Sequence, residues 1–412
     1  MIIMKRLSRK LDQDKVILDI KGLLIHMLNR GSDPDALLEH DSTKKVNTAG
    51  FGFKNWLEEY FSPILSEHSP QQIIAVWDSG HLYRSRLYSG YKGHKKDFGP
   101  VATKELEKLM AHTKSFLAAL GVTQCTLEGQ EADDVIAFLC ERIPEFKRVY
   151  TVDRDLLQLS NNDTLVYIQG NAENEFKGYP VSIITLYKSL VGDSSDNIPG
   201  VKGFGEKGFK DIYEKFGEDG MLQLEQCIKS GNFSLLETAI EQSNDKHLKK
   251  IYADRFGEPE ENRVGWQMSY KLVQLAPWLC EKRYAGKLPQ LTWFKRIPNR
   301  DRCLDALNSI SCGYLMSDFD PYFGQQILIT RENEDYVRQL ISQGAFEGGL
   351  CNGFDVESAD KLKHQPFQEA RKGGDYVDVL SQVLTGASFC FGDNLQHCIY
   401  ISVDHAETDN CD

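Results

Sequence analysis

Residues 128–138 read EGQEADDVIAF, and this stretch sets three carboxylates directly before an apolar run. The carboxylates belong to Glu131, Asp133 and Asp134, and the apolar residues are 135–138. Acidic side chains in a first helical turn complement the helix dipole and its free N–H groups, which would explain one or two of them. Three of them within four residues repel one another, and that repulsion needs a further explanation.

Several short runs of β-branched residues resemble buried strands, and three of them lead to an acidic residue. KVILDI reaches Asp19, QIIAVWD ends at Asp78, and RVYTVDRD reaches Asp153 and Asp155. LVYIQG, residues 165–170, is a further strand candidate without an acid. Helix-like stretches separate these runs, which predicts an α/β fold with a parallel sheet. Ligands of such sheets collect at the carboxyl ends of the strands, where these acids would lie.

A metal site is the chemistry that such a cluster favours. GDSSDN adds Asp193 and Asp196 to the acids at the strand ends. Carboxylates crowded together cannot all ionise without cations, and hard oxygen donors suit Mg²⁺ or Mn²⁺ rather than zinc. Two such ions about 4 Å apart can activate a water and stabilise the leaving oxygen of a phosphodiester. The sequence contains no Ser-His-Asp or Cys-His pattern that offers an alternative chemistry.

A basic strip, SGHLYRSRLYSGYKGHKK at residues 79–96, begins one residue after Asp78 and contains no acid. Its cations are Arg84, Arg86, Lys92, Lys95 and Lys96, and its interleaved aromatics are Tyr83, Tyr88 and Tyr91. A basic loop of this kind is either a solvated surface or a nucleic-acid contact, in which cations meet phosphates and aromatics stack on unpaired bases. Its position beside the acidic cluster favours the nucleic-acid interpretation.

The glycines of residues 203–208, GFGEKG, match the spacing of a dinucleotide-binding loop. That interpretation needs a strand directly before the loop, and Pro199 breaks any strand there. Two short helices joined by a glycine turn, with backbone N–H groups facing a phosphate, fit better. Three nearby lysines support this second interpretation: Lys202, Lys207 and Lys210.

Composition bounds the class of protein. The chain has 412 residues and a net charge of −12, and residues 331–412 alone hold 15 acidic against 6 basic residues, so the rest is nearly neutral and has room for a basic face. The ten cysteines form no C-x-x-C pair, which favours reduced thiols over zinc or disulfides. No apolar run approaches the roughly 20 residues of a membrane helix, and the start lacks a signal-peptide core. We therefore expect a cytoplasmic protein with no membrane partner.

Changes in composition and in the spacing of apolar residues along the chain predict three parts. Residues 1–190 are the α/β part and include a helix over residues 103–120 with apolar residues at helical spacing. Residues 191–325 are largely helical and contain the glycine turn. Residues 326–412 are acidic and mixed α/β.

Three stretches taken together, LEGQEADDVIAF, TVDRDLLQL and GDSSDNIPGVKGFGEKG, resemble the 5′-nuclease family. That family includes the 5′-3′ exonuclease domain of bacterial DNA polymerase I, phage 5′ exonucleases and flap endonucleases, and the resemblance spans about residues 15 to 290. It implies a PIN-like α/β domain and a helix-three-turn-helix (helix-hairpin-helix) DNA-binding domain. It also implies DNA with a 5′ flap, nick or free 5′ end as substrate, an RNA primer within a hybrid as a further one, and a monomer in a bacterial or phage-infected cell.

The resemblance also implies roles for residues. Two or more Mg²⁺ or Mn²⁺ ions would be held by nine acids, the first five around the first ion and the last four around the second, with Asp134 near both: Asp19, Asp78, Glu131, Asp133, Asp134, Asp153, Asp155, Asp193 and Asp196. The basic strip would correspond to the helical arch or gateway, where cations steer the scissile phosphate and an aromatic stacks on a 5′ nucleotide: Arg84, Tyr91, Lys92 and Lys95. The glycine turn would bind duplex phosphates, with K⁺ as a bound ion: Lys202, Gly203, Gly205 and Lys207.

Two positions depart from the family pattern. Ile20 follows Asp19, where a glycine is usual, and Lys95 stands where many relatives have arginine. Lysine lacks the bidentate phosphate contact of arginine.

A second resemblance concerns residues 354–357, Phe-Asp-Val-Glu, and the later stretch ASFCFGDNLQHCIYISVDH. They resemble the opening strands of the 3′-5′ proofreading domain of polymerase I, with Asp355 and Glu357 matching its D-x-E metal motif. The further acids of that domain are missing, which implies a partial DnaQ-like segment that is silent or is completed by a polymerase or exonuclease partner chain.

Three functions are compatible with these patterns. The first is a structure-selective, metal-dependent 5′-3′ exonuclease or flap endonuclease acting in replication and repair, with Asp19, Asp78, Arg84, Lys92 and Lys95 in the reaction centre. The second is a non-catalytic DNA-binding scaffold, which would have lost carboxylates, whereas all nine are present. The third is a PIN-type ribonuclease, a class that lacks the glycine-turn module.

Overall fold

The structure of the protein, a computed structural model, describes residues 14–30, 48–93, 98–258, 263–280, 291–294, 298–323, 325–329, 353–360, 382–391 and 397–402. The chain divides into two compact units, one formed by Met1–Lys114 with Val122–Lys295 and the other by Ser115–Gly121 with Arg296–Asp412. The three-part division at residues 190 and 325 stays a prediction.

The strands of the first unit include the four that the β-branched runs predict. In chain order the strands are β1 Lys15–Asp19, β2 Ile73–Trp77, β3 Thr123–Leu127, β4 Lys147–Thr151, β5 Thr164–Ile168, β6 Asn171–Glu173, β7 Glu175–Phe176, β8 Tyr179–Pro180, β9 Gly192–Asp193, β10 Ile198–Pro199, β11 Gly257–Glu258, β12 Arg263–Val264 and β13 Leu291–Phe294. The runs KVILDI, QIIAVWD, RVYTVDRD and LVYIQG correspond to β1, β2, β4 and β5.

A seven-stranded sheet in the order β13-β3-β2-β1-β4-β5-β6 carries the site. The five central strands are parallel, and β13 and β6 pair antiparallel at its two edges. The predicted α/β class with a parallel sheet is therefore confirmed. Because β1 pairs in parallel with both β2 and β4, the carboxyl ends of these three strands meet at one edge, and the acids at 19, 78 and 153 follow them there.

The helices in the described ranges are α1 Ile20–Asn29, α2 Ala49–Trp56, α3 Ser62–Glu67, α4 Leu82–Leu87, α5 Pro100–Ala119, α6 Ala132–Arg142, α7 Ile184–Val191, α8 Glu206–Ser230, α9 Ser234–Ser243, α10 Lys246–Ala253, α11 Trp266–Val273, α12 Arg300–Asn308 and α13 Met316–Phe319. The described residues also contain a π-helical segment, Leu57–Phe61, and six 3₁₀ segments: Pro70–Gln72, Arg154–Leu159, Val181–Ile183, Pro277–Cys280, Gly313–Leu315 and Asp320–Tyr322. The helix predicted over residues 103–120 corresponds to α5.

The apolar half of EGQEADDVIAF holds α6 in the core of the first unit. Val135, Ile136 and Leu139 are buried and pack in one cluster with Ile17 of β1 and Val149 of β4. Burying side chains of this size stabilises the fold by roughly 1.5–3 kcal/mol each. This packing fixes the acidic start of α6 at the strand ends.

The glycine turn lies in a long connection between α7 and α8, residues 192–205, and only the two-residue bridge of β9 with β10 precedes it. A dinucleotide-binding strand is therefore absent from this connection. α8 is kinked at Gly217, where φ is +66°, so its first part is a short helix directly after the glycine turn. A Cβ atom on Gly200 would lie 2.4 Å from the backbone carbon of Val191, which restricts that position to glycine.

α11 holds this connection against α7. The indole of Trp266, which is fully buried, donates to Ser189 Oγ at 3.0 Å, and Ser269 donates to the carbonyl of Pro199. The loop that contains Asp193 and Asp196 is thus supported from behind by a helix more than sixty residues later in the chain.

The second unit contains a four-stranded sheet in the order β14-β17-β16-β15, made of β14 Gln325–Ile329, β15 Gly353–Asp360, β16 Gln382–Phe391 and β17 His397–Ser402. β14 and β17 are parallel and the other pairs antiparallel, with a register shift after Glu357. Asp355 and Glu357 lie on β15, and the role implied for them stays a prediction.

Within the described residues, no helix combines the length and apolar character that spanning a bilayer requires.

Candidate functional site

The acidic end of α6 does not cap its own helix. Glu131 is the N-cap residue, yet its side chain makes no capping bond, and Asp133 and Asp134 occupy the first turn. Glu131 and Asp134 are 4% and 0% exposed. Because buried carboxylates require partners, their contacts decide what this end of the helix can do.

Arg84 of α4 is the main partner of this pair. Its Nη1 lies 2.6 Å from Glu131 Oε2 and 2.7 Å from Asp134 Oδ2, and its Nη2 lies 2.9 Å from Asp134 Oδ1. Nε and Nη2 also donate to the carbonyls of Leu272 and Gln274. These contacts use all five N–H groups of the guanidinium, and Arg84 is only 4% exposed. In this conformation Arg84 has no donor left for a DNA phosphate, so its predicted phosphate contact would require it to leave the carboxylates.

Asp134 is fully satisfied in the same way. Besides the two bonds from Arg84, it accepts one from the backbone N–H of Ala276 at 2.8 Å. Asp134 thus joins α6 to the segment after α11, a structural role that the sequence did not indicate.

Tyr91 and Lys92 of the basic strip also turn toward the acids. The hydroxyl of Tyr91 lies 3.1 Å from Glu131 Oε1 and 3.1 Å from Asp196 Oδ2. Lys92 pairs with Glu131, and its Nζ lies 3.7 Å from Asp196 Oδ2. Tyr91 is buried, so its predicted stacking on a nucleotide would require the ring to move. Lys95 lies outside the described residues.

The carboxylates of Asp19, Asp133 and Asp153 lie at the centre of the strand ends and repel one another. Asp19, which is buried, accepts a hydrogen bond from Thr151 Oγ1 at 2.8 Å. Burial and the negative charges of Asp153 and Asp78 raise the pKa of Asp19 to about 6. Burial, Asp153 and Asp19 also raise the pKa of Asp133 well above its usual range. The mutual repulsion expected from the sequence is therefore present at this edge of the sheet.

A second group of acids surrounds Lys188 of α7. Lys188 Nζ pairs with Asp155 and lies 2.8 Å from Asp193 Oδ2. Burial and Asp153 raise the pKa of Asp155 to about 7, although Lys188 opposes this shift. Burial would also raise the pKa of Asp193, but the contact with Lys188 and the hydrogen bonds from Ser195 together outweigh it and lower that pKa.

Asp78 forms an ion pair with a lysine side chain. Lys21, on the first turn of α1, approaches Asp78 Oδ1 at 3.0 Å, and both side chains remain partly exposed. An exposed pair of this kind contributes less than about 1 kcal/mol, so it is easily exchanged.

As the side chains stand, no three of the Asp, Glu, His and Cys residues in the described ranges converge closely enough to hold a metal ion. The donor set nevertheless fits a hard divalent cation, because carboxylate oxygens dominate this edge and the burial and mutual repulsion of Asp19, Asp133 and Asp153 outweigh the opposing charge of Lys92 at Asp133. Metal binding by the nine acids stays a prediction.

The glycine turn presents cations beside backbone groups. Lys202, Gly203 and Lys207 are exposed, and Gly205 is the N-cap residue of α8. Gly203 has a φ of +66°, and its carbonyl accepts from Lys250 Nζ at 2.8 Å. Contact of these residues with duplex DNA, and K⁺ binding there, stay predictions.

The sequence patterns did not indicate three residues of the site: Lys21, Thr151 and Lys188. The only sequence signal for Lys188 is a single charged residue inside the otherwise uncharged helix ITLYKSLV. A charged side chain inside such a helix usually has a buried partner.

Comparison with known proteins identifies the family. The model for "5′-3′ exonuclease, N-terminal resolvase-like domain" matches residues 31–183. A 5′-3′ exonuclease of Aquifex aeolicus is 35% identical over 219 residues, which cover 50% of this chain and 71% of that protein. A 5′-3′ exonuclease of Halalkalibacterium halodurans is 30% identical over 221 residues, covering 49% and 70%.

Among solved structures, T5 5′-exonuclease with divalent metal ions (zinc) bound aligns with a TM-score of 0.43 at 16% identity, covering 74% of this chain and 96% of that one. The identities and coverage of the two bacterial relatives decide the assignment. The chain belongs to the 5′-3′ exonuclease family, whose members are phosphodiester hydrolases.

Proposed function

We propose that the protein is a metal-dependent 5′-3′ exonuclease and flap endonuclease that hydrolyses DNA phosphodiesters at 5′ ends and flaps. The observation that carries this proposal is the group of Asp19, Asp133 and Asp153 at the carboxyl ends of β1 and β4 and the start of α6. Their repulsion leaves excess negative charge at a sheet edge directly beside a basic strip. A nuclease needs both features, one to hold metal and one to hold phosphate.

In the proposed reaction the carboxylates would hold two or more Mg²⁺ or Mn²⁺ ions. Such ions supply an activated water and stabilise the leaving oxygen of the phosphodiester. Asp19, Asp133 and Asp153 are the first candidates for ligands, because no lysine or arginine of the described residues pairs with them. Thr151 fixes the orientation of Asp19 through its hydrogen bond.

The basic strip would position the substrate. Lys92 is partly exposed, with 19% of its side chain accessible, and lies next to Glu131 and Asp196, so it can reach a phosphate placed over the acids. Lys95 extends the same strip in the sequence. We assign duplex binding to Lys202, Gly203, Gly205 and Lys207 at the start of α8, where backbone N–H groups favour an anion, with K⁺ as an accompanying ion.

A flap-cleavage assay tests the proposal. The protein should release the flap from a 5′-flap DNA in Mg²⁺ and lose this activity in EDTA. Asp153→Ala should abolish cleavage while retaining duplex affinity, because the glycine turn is unchanged, and Asp163→Ala, on an exposed loop, is the matched control. Cleavage by Asp153→Ala at the wild-type rate would refute the site assignment.

The main alternatives are a non-catalytic scaffold and a PIN-type ribonuclease. A scaffold would bind the flap and never cut it in Mg²⁺ or Mn²⁺. DNA and RNA flaps of one sequence test the PIN-type ribonuclease, since cleavage of the RNA flap alone would contradict our proposal. Cleavage of an RNA primer within a DNA hybrid is compatible with it.

A further inference from the structure

Lys188 is the least exposed lysine of the acidic region and stands between two predicted metal ligands. Its side chain is 14% exposed, and its ammonium group contacts both Asp155 and Asp193. The two acids come from separate elements, Asp155 from the 3₁₀ segment after β4 and Asp193 from β9. Lys188 therefore links the two halves of the second group of acids.

An ammonium group in this position excludes a metal ion. Its Nζ lies 2.8 Å from Asp193 Oδ2, in the space that an ion about 2.1 Å from the same oxygen would need. Two cations at such a distance also repel strongly in a partly buried site. Lys188 must leave Asp155 and Asp193 before a divalent ion can bridge them.

The two groups of acids differ in this respect. Lys188 contacts both Asp155 and Asp193 of the second group. Lys92 pairs with Glu131 and lies 3.7 Å from Asp196 Oδ2, so it is shared between the two groups. Asp19, Asp133 and Asp153, in contrast, pair with no lysine or arginine of the described residues, and Asp19 accepts hydrogen bonds from Thr151 Oγ1 and from the backbone N–H of Gly22. Metal affinity should differ between these two sets of acids, because Asp19, Asp133 and Asp153 have no paired cation, whereas Asp155 and Asp193 must first lose Lys188.

We propose that Lys188 holds the place of a divalent ion between Asp155 and Asp193, so that the protein binds one ion tightly and a second only by displacing this lysine. The inference rests on the proposed function in taking these acids as metal ligands. It makes Lys188 a positioning residue that sets how many ions are bound at a given concentration. It also keeps the second group of acids compensated in the metal-free protein.

Calorimetric titration of the metal-free protein with Mn²⁺ tests the inference without any cleavage. Lys188→Met removes the charge and keeps the length of the side chain, so it should tighten the weaker Mn²⁺ site by about tenfold or more and leave the tighter site unchanged. Lys215→Met is the matched control, because Lys215 also lies 2.8 Å from an aspartate, Asp245, outside the acidic region. Its titration should match the wild type.

An unchanged or weakened second site in Lys188→Met would overturn the proposal, and so would the same tightening in Lys215→Met. Amine acetylation of the wild type, followed by mass spectrometry, covers the case in which Lys188→Met does not fold. Lys188 should be protected in the metal-free protein and become several-fold more reactive only at Mn²⁺ concentrations that fill the weaker site. Protection that persists at saturating Mn²⁺ would overturn the proposal.

These results are separable from the proposed activity. A protein that binds two Mn²⁺ ions with the predicted lysine dependence but never cuts a flap would contradict the function and support the role of Lys188. A protein that cuts flaps while Lys188→Met leaves both affinities unchanged would support the function and contradict that role.

Discussion

At the scale of single residues, Arg84 stabilises the buried part of the acidic site. Glu131 and Asp134 both contact its guanidinium, and replacing it leaves the buried Asp134 without a cation and the buried Glu131 with Lys92 alone. We expect Arg84→Met to lower the free energy of unfolding of the metal-free protein by about 3–5 kcal/mol. Urea unfolding followed by circular dichroism measures this loss.

Arg154→Met is the matched control for that experiment. Arg154 pairs with Glu173 at 3.2 Å, but its side chain is 51% exposed, so the loss should stay below about 1 kcal/mol. Equal effects of the two substitutions would show that the buried arrangement around Arg84 has no special role.

Asp133 is expected to destabilise the metal-free protein and yet to be required for flap cleavage. The raised pKa of its carboxyl means that the ionised form destabilises the folded protein at neutral pH. Asp133→Asn should therefore stabilise the metal-free protein, by on the order of 1 kcal/mol, and abolish flap cleavage in Mg²⁺. Thermal unfolding and the flap assay measure the two effects. A destabilised but active variant would contradict the assignment of Asp133 to the metal site.

The sequence indicated acids at the strand ends and at the start of α6, but it did not indicate which cations would contact them. The acids were predictable because each follows a recognisable strand or starts a helix. The contacts of Arg84 could not be predicted, because its carbonyl partners, Leu272 and Gln274, lie 188 and 190 residues away along the chain. Pairs at such separations depend on the tertiary fold and leave no periodic pattern.

At the scale of elements, the strands were predicted where burial coincides with β-branched sequence. β3, TQCTL, has no such apolar run and was missed. Gln124, its second residue, is 1% exposed, and its side-chain amide accepts from Trp77 Nε1 at 2.9 Å and donates to the carbonyl of Lys114 at 3.0 Å. A polar residue becomes a core residue there through partners that only the fold supplies.

The ends of β1 and β4 also predict how stability depends on pH. The folded-state pKa of Asp19, about 6, and of Asp155, about 7, lie above the ordinary value of 3.8, so the folded protein retains protons that the unfolded chain has lost. The free energy of unfolding of the metal-free protein should therefore fall as pH rises from about 5 to 7. Urea unfolding across this range measures the slope.

Two further measurements test whether these carboxylates cause the fall of the free energy of unfolding with pH. Asp19→Asn should reduce it, because the substitution removes one of the groups with a raised pKa. Mg²⁺ should reduce it as well, because bound cations neutralise the same carboxylates. A stability that rises with pH in the metal-free protein would contradict the arrangement of these strand ends.

At the scale of the whole molecule, the chain must bind a polyanion while carrying a net charge of −12. The concentration of acidic residues in 331–412 shows how this is achieved, since the remaining sequence is close to neutral and can expose a basic surface. Affinity for DNA should then come from a few local phosphate contacts rather than from the overall field. Such contacts release counterions, so their number can be read from the dependence on salt.

Lys207, on the first turn of α8, is an exposed candidate for one of these contacts. Lys207→Gln should weaken binding of a flap duplex about equally for different sequences and reduce the slope of log K against log salt concentration by about 1. Fluorescence anisotropy in EDTA, which prevents cleavage, measures the slope. Lys215→Gln is the control, because Asp245 already neutralises Lys215, and its slope should equal that of the wild type. If Lys207→Gln keeps the wild-type slope, this end of α8 does not contact the phosphates, and the duplex must bind elsewhere on the protein.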